Sequence, residues 1–147
     1  MSWKDWSLMM RLTLGIFIGS ILFFCIVAYM AYWPVTVLEF KEKLNPYQPV
    51  YAGESMYYPM HLIKYREIAG TASKYLVNAK RTIHLETIGG NPKAGVRNTA
   101  GQVFIDRDVP PDRYKFRWVG SWQINFLHPL TKVEESDWFD VLPPRKK

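Results

Sequence analysis

Three histidines, one cysteine and a group of aspartates are the side chains here with the most obvious chemical reach, and none is spaced as a reaction would require. His61, His84 and His128 stand singly, outside any His-Glu-x-x-His pair or nucleophile elbow. His84 falls among alternating strand positions, where a solvent-facing imidazole is expected rather than a base or a metal ligand. His61, close to Pro59, is read in the same way. Asp106, Asp108 and Asp112 could offer hard oxygens to calcium, but Arg107 and Arg113 sit among them and no Asp-x-Asp-x-Asp-Gly loop is present. Turn formation is their expected role. Gly89-Gly90 lacks the Gly-Lys-Ser/Thr ending of a phosphate loop and reads as a hairpin turn. The expectation is a protein with no catalytic residues, no metal and no cofactor, and so not an enzyme. An extracytoplasmic hydrolase would need one histidine brought beside a carboxylate in a concave site.

Gly15 and Gly19 form a different kind of pattern. Four residues apart, they share one helix face and permit close approach of a second backbone, with Ser20 beside them. They lie in a stretch from Leu12 to Trp33 of 22 residues without a charged side chain or histidine. As a helix this stretch spans roughly 33 Å, enough for a hydrocarbon core of ~30 Å, and only a helix satisfies its own backbone there. Trp3 and Trp6 before it, and Tyr29, Tyr32 and Trp33 at its end, are the amphipathic rings that favour the membrane interface. Pro34 stops the helix. A cleaved signal peptide fits less well. The run is too long for an h-region, Ala31 has the bulky Tyr29 two places before it, and Cys25 follows Phe24.

The expected organisation is a cytoplasmic tail over residues 1–11, a transmembrane signal-anchor over 12–33, an extracytoplasmic β-sandwich over 34–142 and a basic tail over 143–147. Lys4, Arg11 and the amino terminus on one side nearly balance Lys41 and Lys43 on the other. A short tail before a long apolar anchor favours a cytoplasmic N terminus and a periplasmic domain, in a single-pass inner-membrane protein. With its only cysteine inside the span, the outer domain has no disulfide to staple it. Beyond residue 33 there are 17 basic and 12 acidic side chains. This moderate excess attracts an anionic membrane surface, but it lacks the clustering and motifs of a nucleic-acid module, so no nucleic-acid partner is expected. The tail Pro143-Pro144-Arg145-Lys146-Lys147 is expected to be solvated and mobile.

The outer segment reads as short β-branched and aromatic runs separated by Gly, Pro and Asn. Strands are expected over Val35 to Lys41, Ser55 to Tyr65, Ser73 to Asn78, Thr82 to Ile88, Gln102 to Asp106, a strand through Tyr114, Phe116 and Trp118, and Asp137 to Leu142. Met56, Tyr58, Met60 and Leu62 share one face, and Pro59 implies an edge or a bulge. Seven or so strands at intervals near ten residues predict an immunoglobulin-like antiparallel sandwich. Tyr114, Phe116 and Trp118 are the candidate core. Tyr114, following Pro110-Pro111-Asp112-Arg113, is the candidate tyrosine corner.

The segments Asp-Val-Pro-Pro-Asp-Arg-Tyr-Lys-Phe-Arg (108–117), Gln123-Ile124-Asn125 and Ser136-Asp137-Trp138-Phe139-Asp140-Val141, behind one N-terminal span, carry a resemblance. The chain resembles uncharacterised membrane-anchored small β-sandwich proteins encoded by tailed bacteriophages of Gram-negative hosts. His128-Pro129-Leu130 departs from that pattern, in which an Asn-Pro-Leu-like turn would follow the strand directly. The resemblance implies location and fold more than activity. The function expected is a non-enzymatic binding or structural module. Its partners would be the lipid bilayer, a protein not yet specified and a second copy paired through the span. The alternative is a membrane effector of the single-span holin or lysis-regulator type. Against that alternative, the span has almost no polar face with which to line a lesion.

Overall fold

The structure, a computed structural model, describes residues 3–145. It divides into two compact units, Met1–Val35 with Asn125–His128, and Thr36–Ile124 with Pro129–Lys147.

The first unit is dominated by helix α1, Trp3–Tyr32. From Ser7 to Tyr32 it is long and apolar enough to cross a membrane, with a mean hydropathy of 2.4 over its most apolar window and none of that window buried. Its hydroxyls are answered by its own backbone: Thr13 Oγ1 donates to the Met9 carbonyl and Ser20 Oγ to that of Ile16, both at 2.9 Å. Pro34 ends the helix because it has no N–H to donate. Of the last carbonyls, that of Tyr29 accepts from Trp33 N at 3.0 Å, and that of Met30 accepts from Asn125 Nδ2 at 3.0 Å. The second of these bonds is a C-terminal cap made by a side chain distant in sequence.

The second unit is all β. Its strands are β1 (Leu38–Phe40), β2 (Val50–Tyr51), β3 (Ser55–Lys64), β4 (Gly70–Val77), β5 (Thr82–Gly90), β6 (Gly95–Phe104), β7 (Asp112–Asn125), β8 (His128–Glu135) and β9 (Phe139–Leu142). One sheet has the order β1-β3-β6. The other has the order β2-β9-β7-β4-β5, with β8 also paired to β7. The two sheets curl into a half-barrel, bringing β2 near β3 at one edge and β5 near β6 at the other.

This is coarser than, and in places different from, the antiparallel sandwich expected from sequence. β2 runs parallel to β9, so the second sheet is mixed. Two strands were not foreseen. β2 is only two residues long, too short for any periodic signal. β8 begins at His128-Pro129-Leu130, which reads as a turn, whereas the turn lies at Phe126-Leu127. Asn125 Oδ1 accepts from Leu127 N there at 2.9 Å. β8 pairs only with β7, and such an edge position tolerates Pro129. β6 reaches back to Gly95 through residues that look like a loop, held by ten consecutive register pairs with β3. Backbone pairing rather than side-chain burial makes this half a strand.

Alternation sorts the side chains. On β7, Tyr114, Phe116, Trp118, Gly120 and Trp122 face inward, and on β3 Met56, Tyr58, Leu62 and Lys64 are buried on one parity. Between β8 and β9 the ladder on β7 is carried across a break by Ser136. Its N–H donates to the Phe116 carbonyl and its hydroxyl accepts from Phe116 N, both at 2.8 Å. Tyr58, Tyr114, Phe116, Leu76, Ile105 and Met56 form the most enclosed part of the core. Burying each of these large side chains contributes about 1.5–3 kcal/mol.

Candidate functional site

The inner face of the β5-β4-β7 sheet can be followed row by row. Leu76 lies opposite Phe116, and Glu86, Lys74 and Trp118 form the next row. Then come Ile88, Ala72 and Gly120, and finally Gly90, Gly70 and Trp122. Side-chain volume falls along this series except for the two indoles, which fold over their glycine neighbours. A Cβ at Gly120 would collide with both the Trp118 and Trp122 rings, and one at Gly70 with the Trp122 ring and the Ser121 carbonyl. The two indoles stand 6.0 Å apart, centroid to centroid.

The missing volume appears as a half-open cleft of about 500 Å³. Leu38, Met60, Lys64 and Arg97 line it from the first sheet; Ala72, Ile88, the three glycines 70, 89 and 90, Trp118 and Trp122 line it from the second. Its size and largely apolar lining match those of small-molecule pockets. Ile88 shows what the cleft does to packing: it has inward parity, yet it is 51% exposed.

Two cations reach the cleft and no acidic side chain lines it. Lys64 is 3% exposed, and its ammonium donates to the Pro92 and Ile68 carbonyls, using two of three N–H groups. Burial pushes its pKa below the ordinary lysine value, the Arg97 charge lowers it further, and Glu67 partly opposes them. Arg97 makes no ion pair among the described residues.

Farther into the interior, Lys74 is 4% exposed, pairs with the Glu86 carboxylate and donates to the Gln102 carbonyl at 3.2 Å. Its ammonium also lies 5.6 Å from the Tyr58 ring centroid. Lys74 thus ties β5 to β6 across the edge where the two sheets approach. Tyr58 covers Gly101, its register partner on β6, where a Cβ would strike the ring.

The residues singled out from sequence are dispersed. His61 Nδ1 is 2.7 Å from a Glu42 carboxylate oxygen, with both side chains nearly half exposed. His84 Nε2 is 2.8 Å from Thr87 Oγ1, and its ring stacks edge-on with that of Tyr75. His128 Nδ1 is buried without a hydrogen-bond partner among the described residues. None of the three lines the cleft. Asp112 accepts from Asn78 Nδ2 and from its neighbour Arg113 N, as a turn residue does. Among the described residues no group of three or more His, Cys, Asp or Glu could hold a metal ion.

Tyr114, Phe116 and Trp118 are buried, and the Tyr114 hydroxyl donates to the Pro110 carbonyl at 3.0 Å, the bond a tyrosine corner makes. A Cβ at Gly15 or Gly19 would meet nothing within 4 Å, so that helix face is open. The Tyr29 and Trp33 rings stack at 4.4 Å, and Tyr32 is exposed. The side chains of Trp3 and Trp6, and the tail residues Lys146 and Lys147, lie outside the described residues. Arg145, expected to be mobile, lies 4.1 Å over the Tyr51 ring and 3.3 Å from the Glu54 carboxylate.

Sequence reasoning missed Lys64, Lys74 and Arg97. For Lys64 the signal was present, because Met56, Tyr58, Met60 and Leu62 define an inward parity that continues to position 64.

No protein-family model, curated protein or solved structure matches the chain.

Proposed function

We propose that the chain is a membrane-anchored, non-enzymatic binding module. It displays an immunoglobulin-like β domain outside the cytoplasm and, on the resemblance of residues 108–117, comes from a tailed phage. One observation carries the reading. From Leu12 to Tyr32 the helix carries no charged side chain and its most apolar window is wholly unburied, whereas the β unit encloses an apolar core and leaves a lined cleft facing solvent. Such a helix requires lipid around it. The Tyr114–Pro110 bond supports the immunoglobulin-like part. One histidine, His61, has a carboxylate within hydrogen-bond reach, but the His61–Glu42 pair is nearly half exposed and does not line the cleft, which supports binding over catalysis there.

The test is topology in intact cells expressing the full chain. Alkaline carbonate should leave it in the membrane fraction, and protease added to spheroplasts should digest the β domain. Release by carbonate would remove the anchor from the proposal; complete protection from protease would reverse its orientation. Pairing through Gly15 and Gly19 is read in the same membranes. Gly15→Ile should reduce crosslinked dimer without reducing inserted protein, and an unchanged dimer yield would show the glycines to be incidental.

A further inference from the structure

We propose that the cleft between the two sheets binds one anionic single-chain amphiphile, its acyl chain along the Trp118 and Trp122 walls and its headgroup against Arg97 and Lys64. This rests on the reading of the chain as a membrane-anchored binding module and gives that module a ligand.

The cleft is built to hold something apolar. Ala72 and Gly90 put little or no side chain on the inner face beside the opening, Gly70 is covered by the Trp122 indole, and Met60 lines the opening from the facing sheet. Ile88 presents an aliphatic side chain into the opening. An apolar wall left wet costs free energy, and an acyl chain placed on it recovers part of that cost with each CH₂ removed from water.

The charge specifies the other end of the ligand. Arg97 shares inward parity with Thr99 and Gly101 on β6 and lies in register with Leu62, so its guanidinium serves the cleft wall. No carboxylate pairs with it among the described residues, and Lys64 retains an uncommitted N–H. The nearest acidic influence, Glu67, has a carboxylate oxygen engaged with Ala94 N at 3.3 Å. A fork of donors beside an apolar slot fits a phosphate or carboxylate joined to a hydrocarbon chain. The source is the bilayer itself: Leu38 of the cleft follows Trp33 by five residues, a tether of at most ~18 Å of extended chain. A domain tethered so closely to lipid meets amphiphiles at high effective concentration.

The experiment is native mass spectrometry of the full chain released from zwitterionic detergent, with lysophosphatidylglycerol and lysophosphatidylcholine of equal chain length as probes. One lysophosphatidylglycerol per chain should bind at least tenfold more tightly than lysophosphatidylcholine. Arg97→Gln should erase that preference while retaining binding of the chain. Gly90→Leu should abolish uptake; a Cβ there meets nothing closer than Pro92 at 4.0 Å, so the strand accommodates it, and an unchanged melting temperature verifies folding. Equal binding of the two probes by the parent, or full binding by folded Gly90→Leu, overturns the proposal. Because the measurement needs no membrane insertion, its failure is distinct from release of the helix by carbonate, which would sink the anchoring alone.

Discussion

The interior of the β domain has two ends made from the same strands on opposite principles. At the closed end Tyr58, Phe116, Tyr114, Leu76 and Ile105 fill the space between the sheets and are almost wholly buried. At the open end β3, β4 and β7 continue without interruption, but glycine and alanine replace large side chains and two indoles lean aside. Each end has its buried lysine. Lys74, toward the closed end, has a carboxylate partner, whereas Lys64, at the open end, has only carbonyls. Register runs unbroken through both ends between β3 and β6 and between β4 and β7, whereas β4 and β5 shift register between Lys74 and Tyr75, where the two ends meet. Along the unbroken ladders, side-chain volume at the inward positions distinguishes the end that closes from the end that does not.

The largest test of this contrast compares one truncation at each end. Phe116→Ala should destabilise the protein by about 3–5 kcal/mol in denaturant unfolding, since it leaves an enclosed cavity. Met60→Ala, on the wall of a cleft already open to water, should cost about 1 kcal/mol, the transfer contribution without the cavity contribution. Equal losses would mean that the two ends are packed alike.

A smaller effect is expected at Lys74. Glu86→Gln leaves its ammonium buried without a carboxylate, a change that costs 3–5 kcal/mol in a fully buried pair and should cost about 2 kcal/mol here because Glu86 is one-third exposed. Adding Lys74→Met should recover most of that loss; a double variant as unstable as the single one would show that the carboxylate, not the stranded charge, was the stabilising element.

The smallest effect is the pH dependence at Lys64. Its folded pKa lies below the ordinary lysine value of 10.5, so the native state releases this proton before the unfolded state does. The unfolded chain then holds more protons between the two pKa values, and this contribution to stability rises with pH across that window. The difference in unfolding free energy between parent and Lys64→Met should shift in the parent's favour as pH climbs toward 10.5. A constant difference would mean that Lys64 is solvated like a surface lysine.

Much of the fold was legible because alternation is strong wherever one face is buried. The runs around Ser55–Lys64 and Tyr114–Trp118 announce their parity through Met, Tyr, Phe and Trp, and the helix announces itself by lacking charge. Where both faces of a strand are exposed, as along the first half of β6, there is no hydrophobic period to read, only a backbone ladder contributed by β3. The cleft was hidden for another reason. It is lined by Ala72 and Gly90, which fill little space, and by Gly70, which Trp122 covers, and this grouping of small residues is visible only once register brings them to one place. The parallel pairing of β2 with β9 joins residues some ninety positions apart, and no local pattern encodes it.

The close approaches at Gly70, Gly101 and Gly120 also bear on how this gene can drift. Every glycine codon begins with two guanines, and replacing either one yields a stop codon or an amino acid that carries a Cβ. At these three positions that carbon has an aromatic ring in its way. Third-base changes alone are then silent, so the codons should tolerate synonymous substitution while a library of random coding variants selected for folded protein loses nearly every other change. Elsewhere in the same strands, as at Thr99 or Lys115, ordinary replacements should survive. The three codons would therefore stand out in a deep mutational scan as isolated points of intolerance, with no chemistry of their own to explain them.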